Sequence, residues 1–160
     1  MEISNQKRSR RIKRSFFLIA VLLLLPILFF VWKEMDLVAL INGGVFLLFI
    51  IGFQFMGLNY VHYQSDGDIL QIRYYPIVSF MGKEYSSIEF NKKRLFKAQV
   101  ERSFLFHELH LEIRTREGIA EYPEVSLAAM SRHDIEAIRD DLAGMMIRKP
   151  KVQRGRKSLE

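Results

Sequence analysis

The residues with the greatest chemical potential are His107-Glu108-Leu109-His110. Two imidazoles and a carboxylate within four positions suggest a metal centre. A helical zinc site of the His-Glu-x-x-His type spaces its histidines four apart, so that both share one face. Here they are three apart, in a segment whose alternation fits a strand, and such residues point to opposite faces. No metal site is therefore expected, and His62 and His133 are isolated in sequence. Glu108, Glu112, Glu117, Glu121 and Glu124 fall on outward or turn positions. A general acid and base need burial to separate their pKa values. No glycine-rich phosphate loop, nucleophile elbow or dinucleotide fingerprint occurs. The chain has no cysteine, which excludes disulfides, thiolate chemistry and thiolate zinc sites. We expect no catalysis and no cofactor.

Charge is the next resource. The formal net charge is +6, but residues 59–147 hold eleven Lys or Arg against fourteen Asp or Glu. The excess lies at the ends. Lys7, Arg8, Arg10, Arg11, Lys13 and Arg14 precede an apolar run, and Arg148, Lys149 and Lys151 open a basic C-terminal tail. This distribution points to anionic headgroups of the inner leaflet, at about 1 kcal/mol per basic residue near the surface, and not to nucleic acid. Lys92-Lys93-Arg94 reads as a solvated turn. Arg73, Arg114 and His110, outward on predicted strands, are the residues that could meet phosphate.

Two apolar runs must position all of this. Phe16–Trp32 has seventeen residues and Leu37–Leu58 twenty-two, with no charged side chain in either. As helices they would span about 25 and 33 Å, against a hydrocarbon core of about 30 Å. Neither run has the polar face of a soluble helix, and no small-residue cleavage site follows Trp32. The sequence predicts a transmembrane hairpin over 15–58, with helices at 16–32 and 37–58. The basic residues before it place the N-terminus inside, and two crossings return the chain to the cytoplasm. An inner-membrane location with both termini cytoplasmic is expected. Residues 1–14 form a basic tail, disordered or a helical extension of the first span. Trp32, Lys33, Tyr60 and Tyr63 suit interfacial anchors. Ala39 and Gly43 form a small-xxx-small pair, and Asn42 beside them could donate across a helix contact. That face would pack the hairpin on itself or join a second copy.

Residues 59–147 alternate as strands do. Strands are predicted at Leu58–Gln64 and Ile69–Tyr75 around an Asp66-Gly67-Asp68 turn. Weaker alternation marks Glu84–Phe90, and Gly82 marks a turn before it. Phe96, Ala98 and Val100 point inward from Phe96–Glu101. Leu109, Leu111 and Ile113 point inward from His107–Thr115. Ile119–Tyr122 returns to Pro123. The period then changes: Ser131 and Asp134 resemble a capping box, and Ile135, Ile138, Leu142 and Met145 recur at helical spacing. A helix is predicted over Arg132–Met146, and 148–160 is read as a disordered basic tail.

Six or seven short strands closed by one helix, behind paired membrane helices, resemble the bacterial pleckstrin-homology-like (PH-like) domain family. The likeness rests on Tyr63 with Asp66-Gly67-Asp68-Ile69, on Asn91–Val100 with Leu95, and on Tyr122-Pro123 with Leu127. It implies an antiparallel β sandwich or barrel of six or seven strands capped by the C-terminal helix. It also implies a non-enzymatic interaction or scaffolding module, with a protein partner or a homo-oligomer. Phosphoinositide recognition through the first hairpin is not expected, because that hairpin carries Asp66 and Asp68 without flanking Lys. A second layout with the same parts is a small membrane effector gated by a nucleotide-type ligand at its β domain.

Overall fold

The computed structural model describes residues 1–79, 85–103 and 106–147. Helix α1 covers Gln6–Trp32 and α2 covers Asp36–Phe55. They are joined by a tight turn in which Glu34 takes a positive φ of 58°. Both are long and apolar enough to cross a membrane, and only 6% of the most apolar window of each is buried. Leu22, Leu40 and Leu48 are exposed along their length. Apolar surface on this scale has no place in water, so the pair indicates membrane association. The hairpin closes at its base, where Phe16 is buried, stacks on Phe49 at 5.5 Å and meets the tilted ring of Phe53 at 4.4 Å between ring centroids.

The β domain holds two antiparallel sheets. The first has the order β1(Glu2–Ser4)-β2(Asn59–Asp66)-β3(Ile69–Pro76)-β4(Ser86–Asn91). The second joins β5(Leu95–Ser103) to β6(Phe106–Arg114), with β7(Ile119–Glu121) and β8(Val125–Ser126) both pairing with β6. Helix α3 covers Arg132–Ile147. The inward faces of both sheets and α3 share one core, built on Tyr63, Leu70, Ile72, Leu95, Leu109, Leu111, Ile138 and Leu142. This is the expected α+β layout, with helices segregated from antiparallel sheets.

The local causes are readable. Asp66 pairs with Ile69, leaving Gly67 and Asp68 as the turn, and only Gly67 has positive φ, at 45°. Glycine first with positive φ is the pattern of a II′ hairpin, whose twist matches its strands. Helix α3 begins as predicted. The Asp134 amide donates to Ser131 Oγ at 3.1 Å, and that hydroxyl donates to Asp134 Oδ2 at 2.7 Å. The aspartate is too short to reach back to the cap's own amide, so it binds the cap's hydroxyl.

Four expectations are corrected. Residues 2–4 are not a disordered tail: they form an edge strand in register with His62–Gln64. The helical extension was the correct half of that expectation. Phe96 does not point inward; the register shifts between Leu95 and Lys97, and Phe96 is exposed. That bulge lets Leu95 enter the core in phase with Ala98 and Val100. Tyr63 is not an interfacial anchor but a fully buried core residue. Its β2 neighbours two positions away, Val61 and Ser65, are buried on the same face. Asn42 does not donate across the hairpin; its Nδ2 donates to the Val38 carbonyl of its own helix at 2.9 Å. Gly82 and the basic tail residues Arg148, Lys149 and Lys151 lie outside the described residues.

Candidate functional site

The functional candidate is the junction where the N-terminal extension of α1, ahead of its apolar run, meets the β domain. Its hub is Asn5, which is buried immediately before the helix. The side chain does not cap α1. Its Oδ1 accepts from the Val61 amide and from Ser9 Oγ, both at 3.0 Å. Its Nδ2 donates to the Asn59 carbonyl at 2.9 Å, and its own amide donates to the Val61 carbonyl at 3.3 Å. One side chain thus joins helix to sheet, and among the described residues no buried side-chain nitrogen or oxygen lacks a partner. The chain terminus adds a clamp, since the Met1 ammonium donates to the Ser65 carbonyl at 2.6 Å. Farther along, Arg8 Nη1 donates to the Met130 carbonyl at 3.2 Å, tying α1 to the loop that leads into α3.

Because this stretch is helical, its basic residues separate by face. Arg10 and Lys13, three apart, line a cleft of about 340 Å³ with Tyr60, Tyr75 and Phe17. There Tyr60 stacks on Tyr75 at 4.6 Å, and Tyr85 meets Tyr75 edge-on at 5.1 Å. Burial, and then the neighbouring Tyr60 and Tyr85, push the Tyr75 hydroxyl above its ordinary value against the pull of Arg10. Lys7 and Arg11, four apart, line a groove of about 540 Å³ whose other wall is Ile19, Phe49 and Phe53. Arg8 lines that groove too, and also a third cleft of about 440 Å³ with Arg102, His107, Arg132, Glu136 and Arg139. Arg14 lines none of these three.

Other residues singled out in the sequence are dispersed. Arg73 is on β3 in the first sheet, whereas His110 and Arg114 are on β6 in the second. Arg114 lies over the Phe96 ring at 5.2 Å, and His110 Nδ1 is 3.5 Å from Glu124 Oε1. These three do not form one phosphate site. Lys92 and Lys93 turn back to the first hairpin. Lys92 Nζ donates to the Gly67 carbonyl at 2.8 Å, and Lys93 Nζ lies 3.3 Å from Asp68 Oδ2. The hairpin that lacks lysine in sequence acquires two by folding. In the hairpin, Ala39 is buried, but a Cβ added to Gly43 meets nothing within 4 Å. The helices therefore do not approach closely at Gly43.

His107 and His110 belong to opposite faces of β6, as their spacing requires. Glu108, His110 and Glu124 do bring their ligand atoms within 4.8 Å of one another. The usable signal was Glu-x-His at the strand period of two, not the two histidines. Glu124 is largely exposed, and we assign the trio no ligand.

Neither a family model, nor a curated protein, nor a solved structure matches this chain.

Proposed function

We propose that the chain is a membrane-anchored, non-enzymatic interaction module. In this reading the two apolar helices span the inner membrane with both termini cytoplasmic, and the β domain is a PH-like scaffold on the cytoplasmic face. The observation that carries the reading is the Asn5 junction. An anchor that only tethers needs a loose linker; here the first helix is hydrogen-bonded into β2 through one buried side chain. A partner bound to the domain would be held at a fixed height and orientation above the bilayer. Lys13 and Arg14, next to the apolar run, would face anionic headgroups.

The β domain also offers exposed apolar residues that a partner could cover, Phe96 and Ile119 among them. The test is photo-crosslinking from these two positions in native membranes, followed by mass spectrometry. Discrete hetero- or homo-complexes are expected. Only monomer from both positions would refute the scaffold reading. Because the chain has no cysteine, single cysteines introduced at Ser4 and at Met35 test the topology by labelling in intact cells. Ser4→Cys should be protected and Met35→Cys should react.

A further inference from the structure

We propose that the third cleft, between the start of α1, the end of the β5–β6 pair and α3, binds a soluble ligand carrying more than one phosphate group. Four exposed arginines line it from three separate parts of the fold: Arg8 from α1, Arg102 from β5, and Arg132 and Arg139 from α3. His107 lies among them, and Glu136 is the one acid on the lining. Counting that acid and a neutral imidazole, the cleft carries a net charge of +3.

Three observations make this more than a solvated basic face. First, none of the four arginines forms an ion pair among the described residues, although ion pairs form elsewhere, at Lys93–Asp68 and Lys97–Glu112. Second, Arg132 occupies the first position of the sixteen-residue α3. Asp134 in the same turn meets the positive pole of the helix and is held by the Ser131 hydroxyl at 2.7 Å, so it does not pair with Arg132. Third, Arg8 spends one donor on the Met130 carbonyl and keeps four of its five for a ligand. Guanidinium groups match phosphate oxygens in pairs of parallel hydrogen bonds. A cleft of about 440 Å³ lies within the range of small-molecule sites. One phosphate, at about −1.5 to −2 near pH 7, leaves about a third to a half of this charge unmet, whereas a diphosphate comes closer to balancing it.

The choice of a soluble source over a lipid headgroup rests on the membrane reading. Arg8 stands eight residues before Phe16, about 12 Å along the helix axis from the apolar run. The headgroup layer is only about 5–8 Å deep on each side. On that count Arg14, Lys13 and Arg11 stand at headgroup depth, and the Arg8 backbone stands beyond it.

The full-length chain in neutral phosphatidylcholine nanodiscs, titrated calorimetrically with pyrophosphate and with inorganic phosphate, provides the test. Pyrophosphate should bind at least tenfold more tightly than phosphate. Arg102→Gln and Arg139→Gln should each weaken pyrophosphate at least tenfold, and Arg114→Gln, on β6 over Phe96, should not. Unchanged far-ultraviolet circular dichroism would show that the variants fold. No heat with pyrophosphate at millimolar concentration would overturn the site, and so would full affinity in both cleft variants. Repeating the titration in discs with phosphatidylglycerol separates the sources. Unchanged affinity supports a soluble ligand, and loss of binding to competing anionic lipid overturns it.

Discussion

Replacing Asn5 should uncouple the first helix from the β domain. The side chain makes three hydrogen bonds, to the Val61 amide, the Ser9 hydroxyl and the Asn59 carbonyl. Each such bond contributes about 1 kcal/mol net, and a buried group left without a partner costs about 1–3 kcal/mol. Ser9 Oγ can rotate to another acceptor. The Val61 amide and the Asn59 carbonyl are on a fixed strand and cannot. Asn5→Ala should therefore cost about 3 kcal/mol, confined to the junction, since the Tyr63–Leu142 core is untouched. At about 1.4 kcal/mol per tenfold, that lowers protection of the Val61 amide against hydrogen exchange about a hundredfold, if the junction opens locally. Core amides such as Leu111 should keep their protection. Asn5→Asp separates the terms: it retains an acceptor for Val61 and Ser9, but turns a carboxylate toward the Asn59 carbonyl. It should fall between wild type and alanine. Exchange measured on the full chain in nanodiscs decides the matter. Val61 protection within threefold of wild type in Asn5→Ala would show that the junction is held by something else.

Tyr63 is buried in the core and donates to Asp141 Oδ2 at 2.8 Å, linking β2 to α3. Burial, and then Asp141 as hydrogen-bond partner and as charge, push its hydroxyl well above the ordinary value. Tyr63→Phe should cost about 1–2 kcal/mol at neutral pH, discounted because Asp141 keeps access to water. The folded pKa is raised, so the contribution is complete below about pH 10 and is lost as pH rises above it. A denaturant series from pH 8 to 11.5 should show wild type losing stability faster than Tyr63→Phe; parallel curves would refute this. Gly57 follows α2 with φ of +56°, and an added Cβ would lie 3.5 Å from Ser126 Oγ. Gly57→Ala should cost about 1–2 kcal/mol through the left-handed backbone alone, read as a lower thermal midpoint. Gly43→Leu should leave that midpoint unchanged, because its Cβ would meet open space. If copies meet through the Ala39–Gly43 face, the same variant lowers crosslinked dimer severalfold, and an unchanged dimer yield rules that face out.

The fold was legible wherever one period held over a whole element. Leu109, Leu111 and Ile113 alternate without interruption and lie inward. Ile135, Ile138 and Leu142 keep helical spacing and are buried. Where the period broke, the reading failed. A bulge at Phe96 turns that residue outward and puts Leu95 in the core, while Ala98 and Val100 keep the inward phase that the alternation predicts; the pairing partner that creates the bulge is remote. Strand β1 was invisible for a related reason. Glu2-Ile3-Ser4 is too short to alternate, and it becomes a strand only because β2 offers an open edge, with fifty-seven residues between Ser4 and its partner His62, of which most form the hairpin.

The candidate site was legible as charge and illegible as geometry. Six basic residues before the first span were recognisable as a group, and as flexible chain they would all serve one surface. As a helix pinned by Asn5 they cannot. A residue at 3.6 per turn advances 100° per step, so Arg10 and Lys13 face the tyrosines while Lys7 and Arg11 face α2. Of the six, Arg8 alone lines a cleft with Arg102, Arg132 and Arg139. Those partners are separated from it by at least ninety positions and look unremarkable in their own segments. Helix phase, fixed at one buried asparagine, is thus what converts a basic tail into three chemically different surfaces. The same fixation links them: a ligand that bridges Arg8 to α3 pulls on the helix that carries Arg10 and Lys13, so occupancy of the arginine cleft and exchange protection around Asn5 should rise together.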